Sequence, residues 1–169
     1  MKESFLTQEK KHFFMNEAIK EAHKALALAE VPIGAIVVLN DEIIGRGYNK
    51  RETSQDALSH AEVTAIKEAC NSIDSWRLEN AQLFVTLEPC PMCAGAILQS
   101  RIEEVYFGAF DPKAGACGSL INLLEDTRFN HWCYVESGVL MDPCASLLKD
   151  FFKDIRAKKQ KKKEMLEKD

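Results

Sequence analysis

Apolar residues at Phe14, Ala18, Ala22, Ala25 and Ala29 recur at steps of four and three, which predicts an amphipathic helix from about Glu9 to Glu30, ended by Pro32. Two β-rich runs follow, Ala35 to Leu39 and Ile43 to Tyr48, parted by Asn40-Asp41-Glu42 in the manner of a hairpin. Asn49 to Ser59 is polar and reads as a loop. Ser59 then precedes a helical pattern through Val63, Ile66, Ala69 and Cys70, with Glu62 three residues later as in a capping box. Leu83 to Leu87 is a buried strand, Ala94, Ile97 and Leu98 suit a helix after Pro89, and Val105 to Ala109 is another strand. A glycine-containing loop, Phe110 to Ser119, leads to a short apolar segment at Leu120 to Leu124 and a fifth strand at Tyr134 to Leu140. Asp142 caps a last helix with Pro143 in its first turn and an apolar face of Leu147, Leu148, Phe151, Phe152 and Ile155. Strands alternating with helices imply an α/β fold, a three-layer α/β/α sandwich around a mixed five-stranded sheet with an antiparallel hairpin at its start.

The chain of 169 residues is 46% hydrophobic and 28% charged, enough for one well-buried core, so a single domain over residues 1–169 is expected. The first residues carry Lys2, Glu3, Glu9, Lys10 and Lys11 and no apolar leader, and the longest apolar run is far short of a membrane span. No membrane association and a cytoplasmic location are the expectation. Six cysteines in that compartment stay reduced, which disfavours a disulfide framework. Net charge is −4, yet Lys153 to Lys163 holds seven cations against Asp154 alone. This is either a basic edge on an acidic body or a solvated helix end, and residues 158–169 read as a frayed basic tail.

The chemistry sits in Pro89-Cys90-Pro91-Met92-Cys93, where two thiols three apart open a helix and its unpaired amides favour thiolates. Alone, such a pair is equally a redox couple or half of a structural zinc site. His60 supplies a third ligand at another helix start. One histidine and two cysteines leave zinc's fourth tetrahedral position open to water, as catalytic sites do, unless Cys117 closes it. Glu62 either caps its helix through the Ser59 amide or faces the water at the metal.

His60-Ala61-Glu62 together with Pro89-Cys90-Pro91-Met92-Cys93 resembles the signature of the zinc-dependent cytidine and deoxycytidylate deaminase superfamily. Val31-Pro32-Ile33-Gly34-Ala35, Gly47-Tyr48-Asn49, Ser75-Trp76-Arg77-Leu78, Ser100-Arg101-Ile102, Asp111-Pro112-Lys113-Ala114-Gly115 and Phe129-Asn130-His131 narrow the resemblance to the bacterial deaminases of adenosine in tRNA. It extends over nearly the whole chain, apart from the first residues and the lysine-rich tail. The resemblance implies a cytidine deaminase-like fold and one zinc ion per subunit on His60, Cys90 and Cys93. It also implies that Glu62 moves protons while a zinc-activated water replaces the amine of a wobble adenosine, releasing ammonia and inosine. The substrate implied is the anticodon stem-loop of an arginine tRNA, contacted by Asn49, the Ala61 backbone, Asp111, Lys113 and Phe152, with the lysines beyond suited to phosphates. Each of Asn49, Asp111 and Phe152 also has an ordinary reading, as turn residue, loop cap and core aromatic. A homodimer with shared active sites is implied as well. Identical zinc chemistry leaves open a deaminase of a free base, nucleoside or nucleotide, of cytosine, guanine or deoxycytidylate type.

Overall fold

The computed structural model describes residues 2–168. Its elements run α1 (Gln8–Ala27), β1 (Gly34–Leu39), β2 (Glu42–Tyr48), α2 (Arg51–Ser54), α3 (Ala61–Ile73), β3 (Gln82–Leu87), α4 (Pro91–Gln99), β4 (Glu104–Ala109), β5 (Tyr134–Glu136) and α5 (Met141–Leu166). One sheet has the order β2-β1-β3-β4-β5. β1 is antiparallel to both β2 and β3, whereas β3, β4 and β5 are parallel. This is the mixed five-stranded sheet that the alternation of strands and helices implied.

Alternate residues of the central strands feed two cores, as the two-residue period of a strand requires. Val37, Leu83, Val85, Val105 and Phe107 face α3 and α4, with Ala65, Ala94 and Ile97 among their neighbours. Ile36, Val38, Phe84 and Tyr106 face the opposite way, against Phe14, Met15 and Ala18 of α1 and Cys144 of α5. Both sides of the middle strands are therefore covered, which gives the three layers.

α3 lies unusually close to the sheet. A Cβ built on Gly45 would stand 2.2 Å from the Ala65 carbonyl oxygen, and one on Gly47 would stand 2.3 Å from that of Ala61. Only glycine permits this approach, and it sets the height of the N-terminus of α3 above β2.

Several boundaries differ from the sequence reading. α1 begins one residue earlier, capped by the Thr7 side chain, and turns at Leu28 and left-handed Ala29, before Pro32. The polar loop after β2 contains the single turn α2. β5 stops at Glu136 because Gly138, at φ 79°, turns the chain, and Val139 instead donates to the Phe107 carbonyl. α5 starts at Met141 with left-handed Leu140 as its cap, so Asp142 and Pro143 lie inside the first turn. α5 runs as helix through Leu166, across most of the stretch read as a basic tail, while Asp169 lies outside the described residues. Among the described residues no helix is long and apolar enough to cross a membrane.

Candidate metal centre and active-site pocket

Parallel strands present their C-terminal ends on one edge of a sheet, and helices that follow begin there. α4 follows β3 in this way, and its N-terminus meets that of α3. His60 caps α3 with extended backbone, φ −82° and ψ 153°. Cys90 caps α4 at φ −75° and ψ 173°, with Pro91 in the first helical position, where its missing N–H costs nothing. Neither cap residue spends its side chain on a helix amide, so both remain available as ligands.

Cys93, one turn into α4, is buried and points back to the same place. His60 Nδ1 lies 3.6 Å from Cys90 Sγ and 3.5 Å from Cys93 Sγ. Bond lengths of about 2.3 Å to sulfur and 2.0–2.1 Å to nitrogen around a tetrahedral zinc put neighbouring S and N ligands about 3.6 Å apart. Both nitrogen–sulfur separations thus match those around zinc, and the three donor atoms all lie within 4.8 Å of one another. The thiols divide their labour. The hydrogen bond from Cys93, and then that from His60, draw Cys90 down to about 4, whereas donation to Cys90 and burial hold Cys93 protonated. The same contact with Cys90 raises His60.

Cys117 is not a fourth ligand. Its thiol is turned to the Pro89 carbonyl at 3.9 Å, and burial raises it well above the ordinary cysteine value. All six cysteines are free, including Cys90 and Cys93. His131 is engaged by the Ile102 carbonyl at 2.7 Å and His12 by Gln8, so neither competes with His60.

Glu62 is the second residue of α3 and is 4% exposed. The capping-box alternative fails here, because the helix cap is His60 and the Ser59 amide already donates to Asp56 O at 3.1 Å. Asp56 serves this loop instead, its carboxylate also accepting from the Leu58 amide. The Glu62 carboxylate is left beside Cys93 and its own backbone N–H, and burial pushes it above the usual carboxylate range.

A cavity of about 460 Å³ opens over this group. Its wall includes His60, Ala61, Glu62 and Cys90, together with Asn49, Asp111, Lys113 and Phe152, whereas buried Cys93 and Cys117 do not border it. Asn49 meets its ordinary reading as a turn residue and also borders the cavity. Its amide donates to Val31 O at 3.3 Å, and its Oδ1 accepts from the Arg51 amide at 3.1 Å, which fixes the side chain at the cavity wall. Asp111 likewise caps its own loop, accepting from the amides of Lys113 at 3.0 Å and Ala114 at 3.2 Å. Of the aromatic pair, Phe151 is 8% exposed and packs inward, while Phe152 is 43% exposed on the cavity wall.

Glu88 escaped the sequence reading. It is 2% exposed, yet its carboxylate accepts from the amides of Asp111 (2.9 Å), Cys117 (3.2 Å) and Ser119 (2.9 Å) and from the Ser119 hydroxyl. These bonds tie the loop carrying Asp111 and Lys113 to the end of β3, two residues from Cys90. Gly115 makes room, since a Cβ there would stand 2.0 Å from Glu88 Oε2. The available signal was a carboxylate set between Leu87 and Pro89 at the end of a buried strand, where a charge survives only with dedicated donors.

Residues 9–156 match the family model of the MafB19-like deaminases. The tRNA-specific adenosine deaminase of Bacillus subtilis (strain 168) is 57% identical over 147 residues, 87% of this chain and 91% of that protein. A solved structure from studies of A-to-I editing by tRNA:A34 deaminases at the wobble position of transfer RNA superposes with a TM-score of 0.77. It is 41% identical and covers 80% of this chain and 99% of its own. The guanine deaminase structure from Bacillus subtilis aligns at TM-score 0.56 and 36% identity, over 62% of this chain and 66% of its own. With the two ligand-bearing helix starts, the buried glutamate and relatives of this closeness, the chain belongs to the tRNA-specific adenosine deaminase family of the MafB19-like deaminases.

Proposed function

We propose that the chain hydrolytically deaminates the wobble adenosine in the anticodon loop of a tRNA, an arginine tRNA first among the candidates, to inosine and ammonia. The observation that carries this reading is the buried Glu62 carboxylate, held only by Cys93 and its own amide, which borders an open cavity next to the His60, Cys90 and Cys93 donor set. The 57% identical relative named for this activity supports the substrate class.

One zinc ion held by His60 Nδ1 and the two thiolates would supply a Lewis acid that brings the pKa of a water toward about 7. Glu62 is the proton carrier. Its carboxylate accepts one proton of the attacking water and passes it to the adenine ring nitrogen as the C6 carbon is attacked, then takes the remaining proton of the added hydroxyl and delivers it to the amine, which departs as ammonia while the C6 carbonyl forms. Burial suits the task, since a desolvated carboxylate is a stronger base than a hydrated one. The Ala61 backbone and the Asn49 side chain, fixed by Val31 O and the Arg51 amide, hold the purine; Asp111 and Lys113 meet the adjoining ribose and phosphate; Phe152 offers an exposed ring for stacking. An unpaired loop nucleotide enters such a cavity at the least cost in unstacking.

The reading takes residues 1–169 as one domain in the cytoplasm, acting as a homodimer. Exposed Leu58, two residues before His60, and exposed Leu120 and Ile121, just beyond the Glu88-anchored Ser119, provide apolar surface for a second copy. The test is ammonia release by the zinc-loaded protein from an arginine anticodon stem-loop against free guanine and cytidine. Turnover of the stem-loop is the expected result. Turnover of the free compounds with none on the RNA would overturn it in favour of a free-base or nucleoside enzyme.

A further inference from the structure

α2 has no packing to hold it. It is a single turn, Arg51–Ser54, with no buried residue, and Lys50 at its N-cap makes no side-chain bond to its amides. A helix of this length is far too short to be stable by itself. Yet the turn stands on the cavity wall, since Asn49, just before it, and Arg51, its first residue, both line the cavity.

One carboxylate fixes the turn from below. Glu30, 2% exposed, accepts from the amides of Thr53 at 2.9 Å and Glu52 at 3.3 Å and from the Thr53 hydroxyl at 3.3 Å. Among the described residues, these are the only hydrogen bonds that join residues 51–54 to anything outside the loop of residues 49–60. The approach to Glu30 is specialised as well. α1 ends in a Schellman turn, with Ala29 donating to Leu26 O and Glu30 to Ala25 O, each at 3.0 Å. The left-handed position of that turn, φ 57°, is filled by Ala29 where glycine is usual. The position after it, often apolar and packed back on the helix, is Glu30. A buried carboxylate there does nothing for the helix end and survives only with dedicated donors, which α2 supplies.

Residues 30–33 and 49–53 thereby form one unit on this side of the cavity. Val31 O accepts from the Asn49 side chain at 3.3 Å and Ile33 O from the Asn49 amide at 3.1 Å, and Val31 and Ile33 themselves line the cavity. Across the cavity, Glu88 holds the loop of Asp111 and Lys113 in the same manner. Arg51 and Lys113 are the lysine and arginine side chains of the wall, and each rides on a segment tied down by a buried glutamate.

We propose that Glu30 is a positioning residue for the substrate. By collecting the first amides of α2 it sets Asn49 and Arg51 against the cavity before the substrate arrives, as the counterpart of Glu88 on the opposite wall. This inference rests on the deaminase reading above, in which the cavity receives the base to be deaminated. Ordering the wall in advance removes that cost from binding. The reacting groups do not depend on it, because His60 and Glu62 belong to the start of α3 and Cys90 and Cys93 to that of α4.

The test compares Glu30→Gln, and Thr53→Val at an exposed position, with the unaltered chain, all loaded with zinc. Steady-state deamination is measured on whichever of the arginine stem-loop, guanine and cytidine the unaltered chain turns over, and amide hydrogen exchange is followed at residues 51–54. Glu30→Gln should raise KM on the order of tenfold while kcat stays within about twofold, with zinc content retained. Exchange at Glu52 and Thr53 should quicken in the same protein. Thr53→Val removes the hydroxyl bond without touching the buried carboxylate, and should move KM in the same direction by about two- to threefold. Should Glu30→Gln fail to fold, the KM of Thr53→Val decides. An unchanged KM would overturn the proposal and leave Glu30 a structural anchor, as would a loss of kcat or of zinc with KM unmoved. A raised KM without faster exchange at Glu52 and Thr53 would overturn it too, since Glu30 would then act other than through α2. Failure of the unaltered chain on the RNA beside turnover of a free compound would count against the editing function, while KM on that compound still decides the role of Glu30.

Discussion

Glu62 and Glu88 are both buried glutamates at the same edge of the sheet, 4% and 2% exposed, and they are built for opposite purposes. Glu88 collects three amides and a hydroxyl, so its charge is fully occupied in holding the loop of Asp111 and Lys113. Glu62 has only Cys93 and its own amide for company and faces the cavity. Burial alone thus says little about what a carboxylate does. The number of donors that reach it separates an anchor from a group free to exchange protons.

Substitution by glutamine should separate the two sharply. Glu62→Gln keeps the shape and removes the proton acceptor, so deamination should fall by about 10²–10⁴-fold while zinc content and thermal stability stay near those of the unaltered chain. Inosine formation and metal analysis on the same preparation check both halves. A larger loss of stability than of activity would reverse the assignment and return Glu62 to a structural role.

The platform under Glu62 is tested at Gly47. A methyl group there collides with the Ala61 carbonyl, so Gly47→Ala should lift the start of α3, cost about 1–3 kcal/mol, and lower zinc occupancy together with activity. Chemical denaturation and zinc titration measure the two effects. The same substitution at Gly95, which has open space around it, should leave zinc binding unchanged.

Glu88→Gln replaces one acceptor oxygen by an N–H₂ group facing amide donors, and should cost about 1–3 kcal/mol in denaturation experiments. Its kinetic signature should be a raised KM for RNA with zinc retained, because the loop is released rather than the reacting groups. A pure loss of kcat would place Glu88 in the proton transfers and dissolve the contrast.

A third carboxylate sets the lower end of the scale. Glu17 is held below the ordinary carboxylate range by hydrogen bonds from Lys20 and Arg46, cations rather than loop amides. A lowered value means that its stabilisation is present above its unfolded value of 4.5 and disappears as pH falls through the folded value. Glu17→Gln should therefore cost at most about 1 kcal/mol near neutrality and nothing in strong acid, as read from denaturation midpoints across pH.

Much of this was legible beforehand. The four-and-three spacing from Phe14 to Ala25 and the unbroken apolar run from Ala35 to Leu39 reflect burial on one helix face and on two strand faces, whereas Ala29, which continued the spacing, lies exposed beyond the helix end. His60, Cys90 and Cys93 were legible because metal ligands are constrained in type and spacing. The sequence could not distinguish Ser59 from His60 as the cap of α3, since that choice depends on Asp56 taking the loop amides. Glu88 stayed hidden because its donors come from residues 111 to 119, more than twenty positions away. The basic stretch was read as a charge run, but its continuation as a projecting helix beyond Ile155 is visible only once the body that it leaves behind is known.

The most direct test is to map inosine, position by position, in a full arginine tRNA incubated with the zinc-loaded chain and, in parallel, with Glu62→Gln matched for zinc content. The predicted result is conversion of the wobble adenosine alone by the first protein and none by the second. Conversion by the Glu62→Gln protein at a comparable rate, or an unmodified wobble adenosine beside deamination of free guanine, would contradict the proposed chemistry at this centre.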